Sequence, residues 1–393
     1  MSTFEMTNDN INKAFLQAMD TPGGHTKVGS MVETWTQKKL RENRLMDTII
    51  TVKPITPDKC QREEDNDNLY YMDELEPEGT AYQINWRGEA PTAFVKVKRI
   101  KYYFNTVSSD RLTIYDDTLR ATNMPLTKIL EQNLIKDMYE QQDRIFFNHI
   151  HTMLFLSTVD RYNKLVREGT VTGTSNFGSA AELYRYLFLR SKGGAGVWAP
   201  LASVNVANGY YSNILFSTET EWNKYVLKEL VNIPAFRQLE GKILLMHKTT
   251  YNDVLAWAAT DAGFKLVDEI TVDGYKYFTF GGYKFVTTLR DNKYLVNPGV
   301  IYIFPEEQFF GKMFVLEKLK LWVERKPRMT IMEAYEDLGG GIANPYGLGV
   351  ILLKGARIPI RVSYQNAVGT VTSTGVQWII NDETLAALPA LET

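Results

Sequence analysis

One cysteine, Cys60, stands in 393 residues, so the chain can form no internal disulfide and no cysteine-rich zinc site. A reducing compartment suits such a sequence. Histidine is nearly as scarce: His25, His149, His151 and His247 are all there are, which leaves imidazole chemistry few places to sit. An excess of either charge is missing too. The 44 Lys and Arg against 46 Asp and Glu give a formal net charge of −2, which argues against a chain that coats nucleic acid through an overall positive field. No apolar run approaches the ~18 residues that a bilayer span requires. The opening MSTFEMTNDNINKAF has no basic segment followed by an apolar core, so no secretory signal is expected. What is present is a globular composition, 44 % hydrophobic and 23 % charged, enough for one large domain or two to three ordinary ones.

Residues 1–47 are polar and contain the turn former Pro22-Gly23-Gly24; they read as an extended arm ordered by a partner surface. A strand is expected at Thr48–Val52, ending before Pro54 and Pro57. The stretch Asp58–Glu78 then carries nine acids against Lys59 and Arg62. Two β-rich runs follow, Ala81–Trp86 and Phe94–Phe104, and suit a long hairpin standing away from a core. Asn123 or Thr122 as N-cap and Pro125 in the first turn open the clearest helix. Its apolar residues recur at helical spacing from Leu126 to Leu154, and no Gly or Pro interrupts before Gly169, so it should exceed about 25 residues. Shorter helices are expected over 179–192, 218–231 and 249–259. Strands are expected at 242–246, 275–280, 283–287, 300–304 and 350–353. Residues 312–335 suit two long antiparallel strands broken at Glu324–Arg328. The Val/Thr/Ser-rich tail from 356 onward reads as one or two added strands with a loose end.

Catalytic patterns are hard to find. Glycines gather at 193–196 and 339–341, but neither group continues as a phosphate-binding loop or a dinucleotide fingerprint; turns and strand ends are the plainer reading. His149 and His151 diverge by about 200° on a helix, whereas a metal pair needs i,i+3 or i,i+4 spacing, so surface or packing roles suit them better. No G-x-S-x-G elbow offers a nucleophile. The acid pairs Asp116-Asp117 and Glu306-Glu307 read as solvated surface or caps. Tyrosines (22 of them) could stack on sugars or bases, but core and subunit contacts account for them more simply. No catalytic residue, cofactor or metal site is expected.

The order of elements does carry a resemblance. Its sharpest parts are Leu244–Leu255, Phe280–Phe285, Pro298–Pro305, Ala334–Glu336 and the ending Gly339–Pro345. Together, in this order, they resemble the major capsid proteins of tailed bacteriophages, the Hong Kong 97-type fold, over nearly the whole chain. The resemblance implies an α+β protein with an N-arm (1–47), an extended loop (48–98), a peripheral domain (99–195 and 311–355), an axial domain (196–310) and a tail (356–393). It implies self-assembly as hexamers and pentamers into an icosahedral shell around double-stranded DNA, contacted without sequence preference. Portal, scaffold and decoration proteins would be further partners, the virion the location, and the host cytoplasm the place of assembly. No membrane is involved. Some relatives cross-link a loop lysine to an asparagine; here the one lysine between residues 58 and 90, Lys59, sits among acids that favour its charged form, so no cross-link is expected. A bacterial nanocompartment (encapsulin-like) shell, a soluble α+β carbohydrate-active enzyme and a tail-tube subunit are the rivals.

Charge patterning adds a contact hypothesis. In shells of this type the extended loop lies over the peripheral domain of an adjacent subunit. The acids Glu63, Glu64, Asp65, Asp67, Asp73, Glu74 and Glu76 would then meet the bases Lys312, Lys318, Lys320, Arg325, Lys326 and Arg328, setting register more than affinity. The competing reading is a solvated acidic loop.

Overall fold

A computed structural model of the chain describes residues 44–56, 61–62, 68–76, 96–121, 126–167, 183, 187, 213–217, 219–235, 239–260, 268–272, 275–280, 282–288, 296–342, 344–365 and 371–381. The arm up to residue 43, the run Ala81–Trp86, Asn123 and most of the helix expected at 179–192 lie outside the described residues.

The elements run, in chain order, α1 (Leu45–Ile49), β1 (Val52–Pro54), β2 (Gln61–Arg62), β3 (Asn68–Glu76), β4 (Lys96–Ser108) and β5 (Leu112–Tyr115). Next come α2 (Asp116–Ala121), α3 (Leu126–Arg167), β6 (Ile214–Phe216), α4 (Lys224–Ala235), β7 (Gly241–His247) and α5 (Lys248–Thr260). The rest is strand: β8 (Asp268–Val272), β9 (Tyr275–Phe280), β10 (Tyr283–Thr288), β11 (Val300–Pro305), β12 (Gly311–Lys326), β13 (Met329–Ile342), β14 (Gly349–Leu352), β15 (Arg357–Gln365) and β16 (Val371–Ile380). The chain is α+β. It forms two compact units, one built mainly from Val52–Met138 with Met313–Gly341, the other from Asn43–Thr51, Tyr139–Lys312 and Ile342 onward.

The helix α3 is continuous for 42 residues, roughly 63 Å at 1.5 Å per residue. Its buried positions fall at 131, 134, 135, 138, 139, 142, 143, 146, 147, 150, 151, 154, 155, 157, 158 and 162, the i,i+3,i+4 stripe of an amphipathic helix. Polar Glu131, Gln142, Asp143, His151, Ser157 and Thr158 sit inside that stripe. Each therefore needs a partner where an apolar residue would need none.

In the first unit the sheet runs β1-β12-β13-β4-β3-β2, with β5 also on β13. The β12–β13 hairpin turns through Pro327 and Arg328, and Arg328 has φ of 67°. Along β13 burial alternates: Thr330, Met332, Ala334, Glu336 and Leu338 are buried, while Met329, Ile331, Glu333, Tyr335 and Asp337 are half-exposed. That is a sheet with one covered face. The strands β5 and β4 continue one another along β13, separated by an irregular step. There the Ser109 N–H donates to the Ala334 carbonyl and the Ser109 hydroxyl accepts from the Ala334 N–H. Glycine is required at 339, where a Cβ would lie 2.6 Å from the Tyr103 carbonyl oxygen.

In the second unit a mixed sheet runs β6-β14-β11-β7-β10-β9-β8. Every residue of β11 and β14 is buried, as expected for central strands covered on both faces. One face carries Leu244, Met246, Ile301, Ile303 and Ile351 against Trp222, Leu227, Leu230 and Ile233 before and within α4 and Tyr251 and Val254 of α5. Gly349 lets α4 approach, since a Cβ there would lie 2.8 Å from Ile233. On the opposite face an aromatic chain links Phe146 to Phe310, Phe304 and Tyr302, and Tyr302 to Phe147 of α3. The β15–β16 hairpin completes this unit.

Two expectations need correction. Thr48–Val52 is not a strand: Leu45–Ile49 is helical and only Val52–Pro54 is extended. The β-branched run loses to tertiary capping, because Asp143 of α3 accepts the N–H of Met46 at 3.0 Å and of Leu45 at 3.4 Å, and burying Leu45, Met46 and Ile49 favours the helix. The long strand β4 also has a different partner. It pairs antiparallel with Asn68–Glu76, inside the acidic stretch that reads as loop from composition. Acidic side chains lower β propensity without forbidding a strand when a basic strand pairs with it.

Candidate contact surfaces and a polar pocket

The outward face of the first unit's sheet is built from alternate positions of three strands. Lys318, Lys320, Trp322, Glu324 and Lys326 come from β12; Met329, Ile331, Glu333, Tyr335 and Asp337 come from β13. Thr106 and Ser108 lie opposite Asp337 and Tyr335, and Thr113 and Tyr115 opposite Ile331 and Met329. Tyr115 is 59 % exposed and Trp322 39 %. A polar network crosses this face: the Glu333 carboxylate accepts from the Ser108 hydroxyl at 2.7 Å and from Arg111 Nε at 2.6 Å. The Arg111 guanidinium also lies 5.7 Å from the Trp322 ring centre. The Ser108 hydrogen bond, and then Arg111, hold the Glu333 carboxyl below its ordinary pKa. Thr106 donates to Asp337 at 2.5 Å. Tyr, Trp, Met and Arg over mixed charge make the composition of a contact surface.

The charged residues singled out in the sequence divide. Glu63, Glu64, Asp65 and Asp67 lie outside the described residues. Asp73, Glu74 and Glu76 stand on β3 at register positions opposite Arg99, Lys98 and Lys96 of the same chain. Of the bases, Lys318, Lys326 and Arg328 are exposed and Lys312, Lys320 and Arg325 half-exposed. Lys320 pairs with Glu317 at 3.1 Å, and Lys326 reaches Glu324 at 4.0 Å. Arg325 points away from the outward face and meets Asp116 at 3.5 Å. Arg111, Glu333, Tyr115 and Trp322 escaped the sequence reading. The strict alternation of β13 was the signal that could have placed Glu333 outward.

The second unit holds a different feature. His151 is 2 % exposed, and its Nε2 lies 3.0 Å from the Tyr302 hydroxyl. Burial without a charged partner takes its pKa down to about 3 and pushes the Tyr302 hydroxyl upward. His149, half-buried on the same helix, is also lowered, by burial and then by Arg361. Beside His151 a cavity of about 230 Å³ opens between α3 and β15. Gln141, Arg144, Asn148 and His151 line it from the helix and Arg361 from the strand, while Pro359 and Val376 close it with apolar surface. A wider, open groove of about 930 Å³ has Glu221 and Asp253 on its wall with Lys354 and Arg357. Among the described residues no three His, Cys, Asp or Glu side chains are placed to hold a metal ion, and no helix is long and apolar enough to cross a membrane.

No family model matches the sequence, and no curated protein does either. Solved structures similar to the chain include one from Gordonia phage Cozz, at 12 % identity and TM-score 0.47, covering 80 % of this chain and 87 % of that one. The mature capsid of bacteriophage PhiM1 is similar at 8 % identity and TM-score 0.43, covering 78 % and 86 %. The holo-SrpI encapsulin complex of Synechococcus elongatus is similar at 11 % identity and TM-score 0.43, covering 79 % and 87 %.

Proposed function

We propose that the chain is the repeating subunit of a closed protein shell, a major capsid protein of the Hong Kong 97 type that packs double-stranded DNA. The observation that carries this reading is the outward face of the first unit's sheet. Its other face is covered, yet this one presents Tyr115, Trp322, Met329, Ile331 and Tyr335 among paired charges. Burying such a face against a second copy stabilises by about 25 cal/mol per Å² of apolar area, and symmetry repeats that gain at every contact.

The occupant of this face is the acidic stretch 58–78 of a neighbouring copy. Asp73, Glu74 and Glu76 stand opposite bases of their own chain, so Asp58, Glu63, Glu64, Asp65, Asp67 and Glu78 are the acids that match the exposed Lys318, Lys326 and Arg328 and the half-exposed Lys320. Because Arg325 is already held by Asp116 on the other side, it supports the strand rather than the neighbour. Each exposed pair contributes under about 1 kcal/mol, so the charges set register and the aromatic residues supply the burial. Sedimentation velocity of the purified chain, alone and with the products of neighbouring genes, tests the reading. Rings or closed shells support it; monomer under every condition contradicts it.

A further inference from the structure

The cavity between α3 and β15 is lined by hydrogen-bond donors, one of them buried without a partner. Tyr302 is fully buried, and its hydroxyl has one partner, His151 Nε2. A buried hydroxyl gives up its proton to the acceptor at hand, so Nε2 accepts and the ring proton resides on Nδ1. The ring lines the cavity with Nδ1 as its remaining donor. Seven positions earlier on the same stripe of helix, Arg144 spends Nη2 on Glu140 at 3.1 Å, while its Nε is buried with no partner. The side-chain amides of Asn148 and Gln141 lie between and beside them, and Arg361 faces them from the strand. No acidic side chain lines the space.

Leaving the buried Arg144 Nε unanswered costs about 1–3 kcal/mol, and a space of about 230 Å³ exceeds one water's share, about 30 Å³, several-fold. The lining offers two guanidinium groups, Arg144 already paired in part with Glu140, and no carboxylate of its own. We propose that this cavity binds a phosphate-class oxyanion, free phosphate or the phosphodiester of a nucleic acid, between Arg144 and Arg361, with the His151 Nδ1–H and the amides of Asn148 and Gln141 completing its shell. Several oxygens accept at once, and the hydrogen bonds are charge-assisted. The neutral imidazole donates without needing to be protonated. The site lies wholly within the second unit, so it stands or falls independently of the shell reading.

Calorimetric titration of the purified full chain with inorganic phosphate, at constant ionic strength in chloride, tests it. Saturable one-to-one binding is expected, and Arg361→Gln should weaken it by about tenfold or more. Arg361 is exposed, so the unliganded thermal midpoint of that variant should match the parent. Asn148→Leu, a second variant on the opposite wall, should weaken binding in the same direction. A short single-stranded DNA added as competitor separates the sources: displacement of phosphate assigns the site to nucleic acid, and persistence assigns it to free phosphate. Absence of saturable binding, or unchanged affinity in both variants, overturns the site.

Discussion

At His151 the folded chain refuses a proton that the unfolded chain accepts. Burial holds the ring's pKa near 3, against about 6.5 when exposed to water. Its contribution to stability is therefore complete above about pH 6.5 and is lost progressively as pH falls toward about 3; His149 adds a shift of the same sign. Replacing His151 by Gln should make the acid limb of a stability–pH curve shallower by up to about 1.4 kcal/mol per pH unit between about pH 6 and 4. Chemical denaturation across that range reads it, and parallel limbs for the two proteins would contradict the burial argument. Arg328 offers a second residue-level test. A left-handed φ of 67° costs a residue with a Cβ about 1–2 kcal/mol, and glycine gives back about 0.5–1 in chain entropy. Arg328→Gly should thus be neutral or stabilising by up to about 1 kcal/mol in thermal unfolding, and a clear loss would mean that the side chain holds contacts of its own. The spacing of His149 and His151 already showed that they share no face. It could not show that Tyr302 waits for one of them, because that partnership joins residues 151 positions apart.

Elements were legible where period and punctuation agreed. The helix α3 announced itself through Pro125, unbroken apolar spacing and a clear run to Gly169. The strands β7, β9, β10, β11 and β14 lie within a residue or so of their apolar runs. The helix α1 was illegible because its cap comes from Asp143, 97 residues on from Met46, and β3 because its acids masked a strand that pairs with β4, whose Arg99, Lys98 and Lys96 stand opposite Asp73, Glu74 and Glu76. The C-terminal hairpin reads from sequence as an appendage, yet the structure ties it in. The Asn381 amide donates to the Ser217 and Leu352 carbonyls at 2.7 and 2.8 Å, and Ile358, Ile360, Trp378 and Ile379 are buried. Asn381→Ala should cost about 2–3 kcal/mol in chemical denaturation, since two buried carbonyls lose their donor. Truncation after residue 356 should leave the second unit poorly soluble. A truncated chain with the parent's stability would return the hairpin to the status of an appendage.

At the scale of the whole molecule the account is about surfaces that one chain leaves unfilled. Charge reversal tests how the neighbour is positioned: Glu63, Glu64, Asp65 and Asp67 changed together to Lys should impair assembly, and Lys318, Lys326 and Arg328 changed to Glu should partly restore it. High salt should loosen the same contact, because exposed pairs are screened beyond roughly 10 Å at 0.1 M. Normal assembly of the fourfold variant, read by sedimentation, would remove the acidic stretch from that face. Burial must supply most of the association energy, so Trp322→Asp, which places an unpaired charge amid the outward aromatic residues, should weaken assembly more than any single charge reversal. The most direct measurement is electron microscopy of the expressed full-length chain, together with a DNA assay of whatever sediments. The account predicts hexameric or pentameric rings or closed icosahedral shells, with the outward sheet face buried between subunits. A chain that stays monomeric, or shells whose subunits leave Tyr115 and Trp322 facing solvent on every copy, would contradict it.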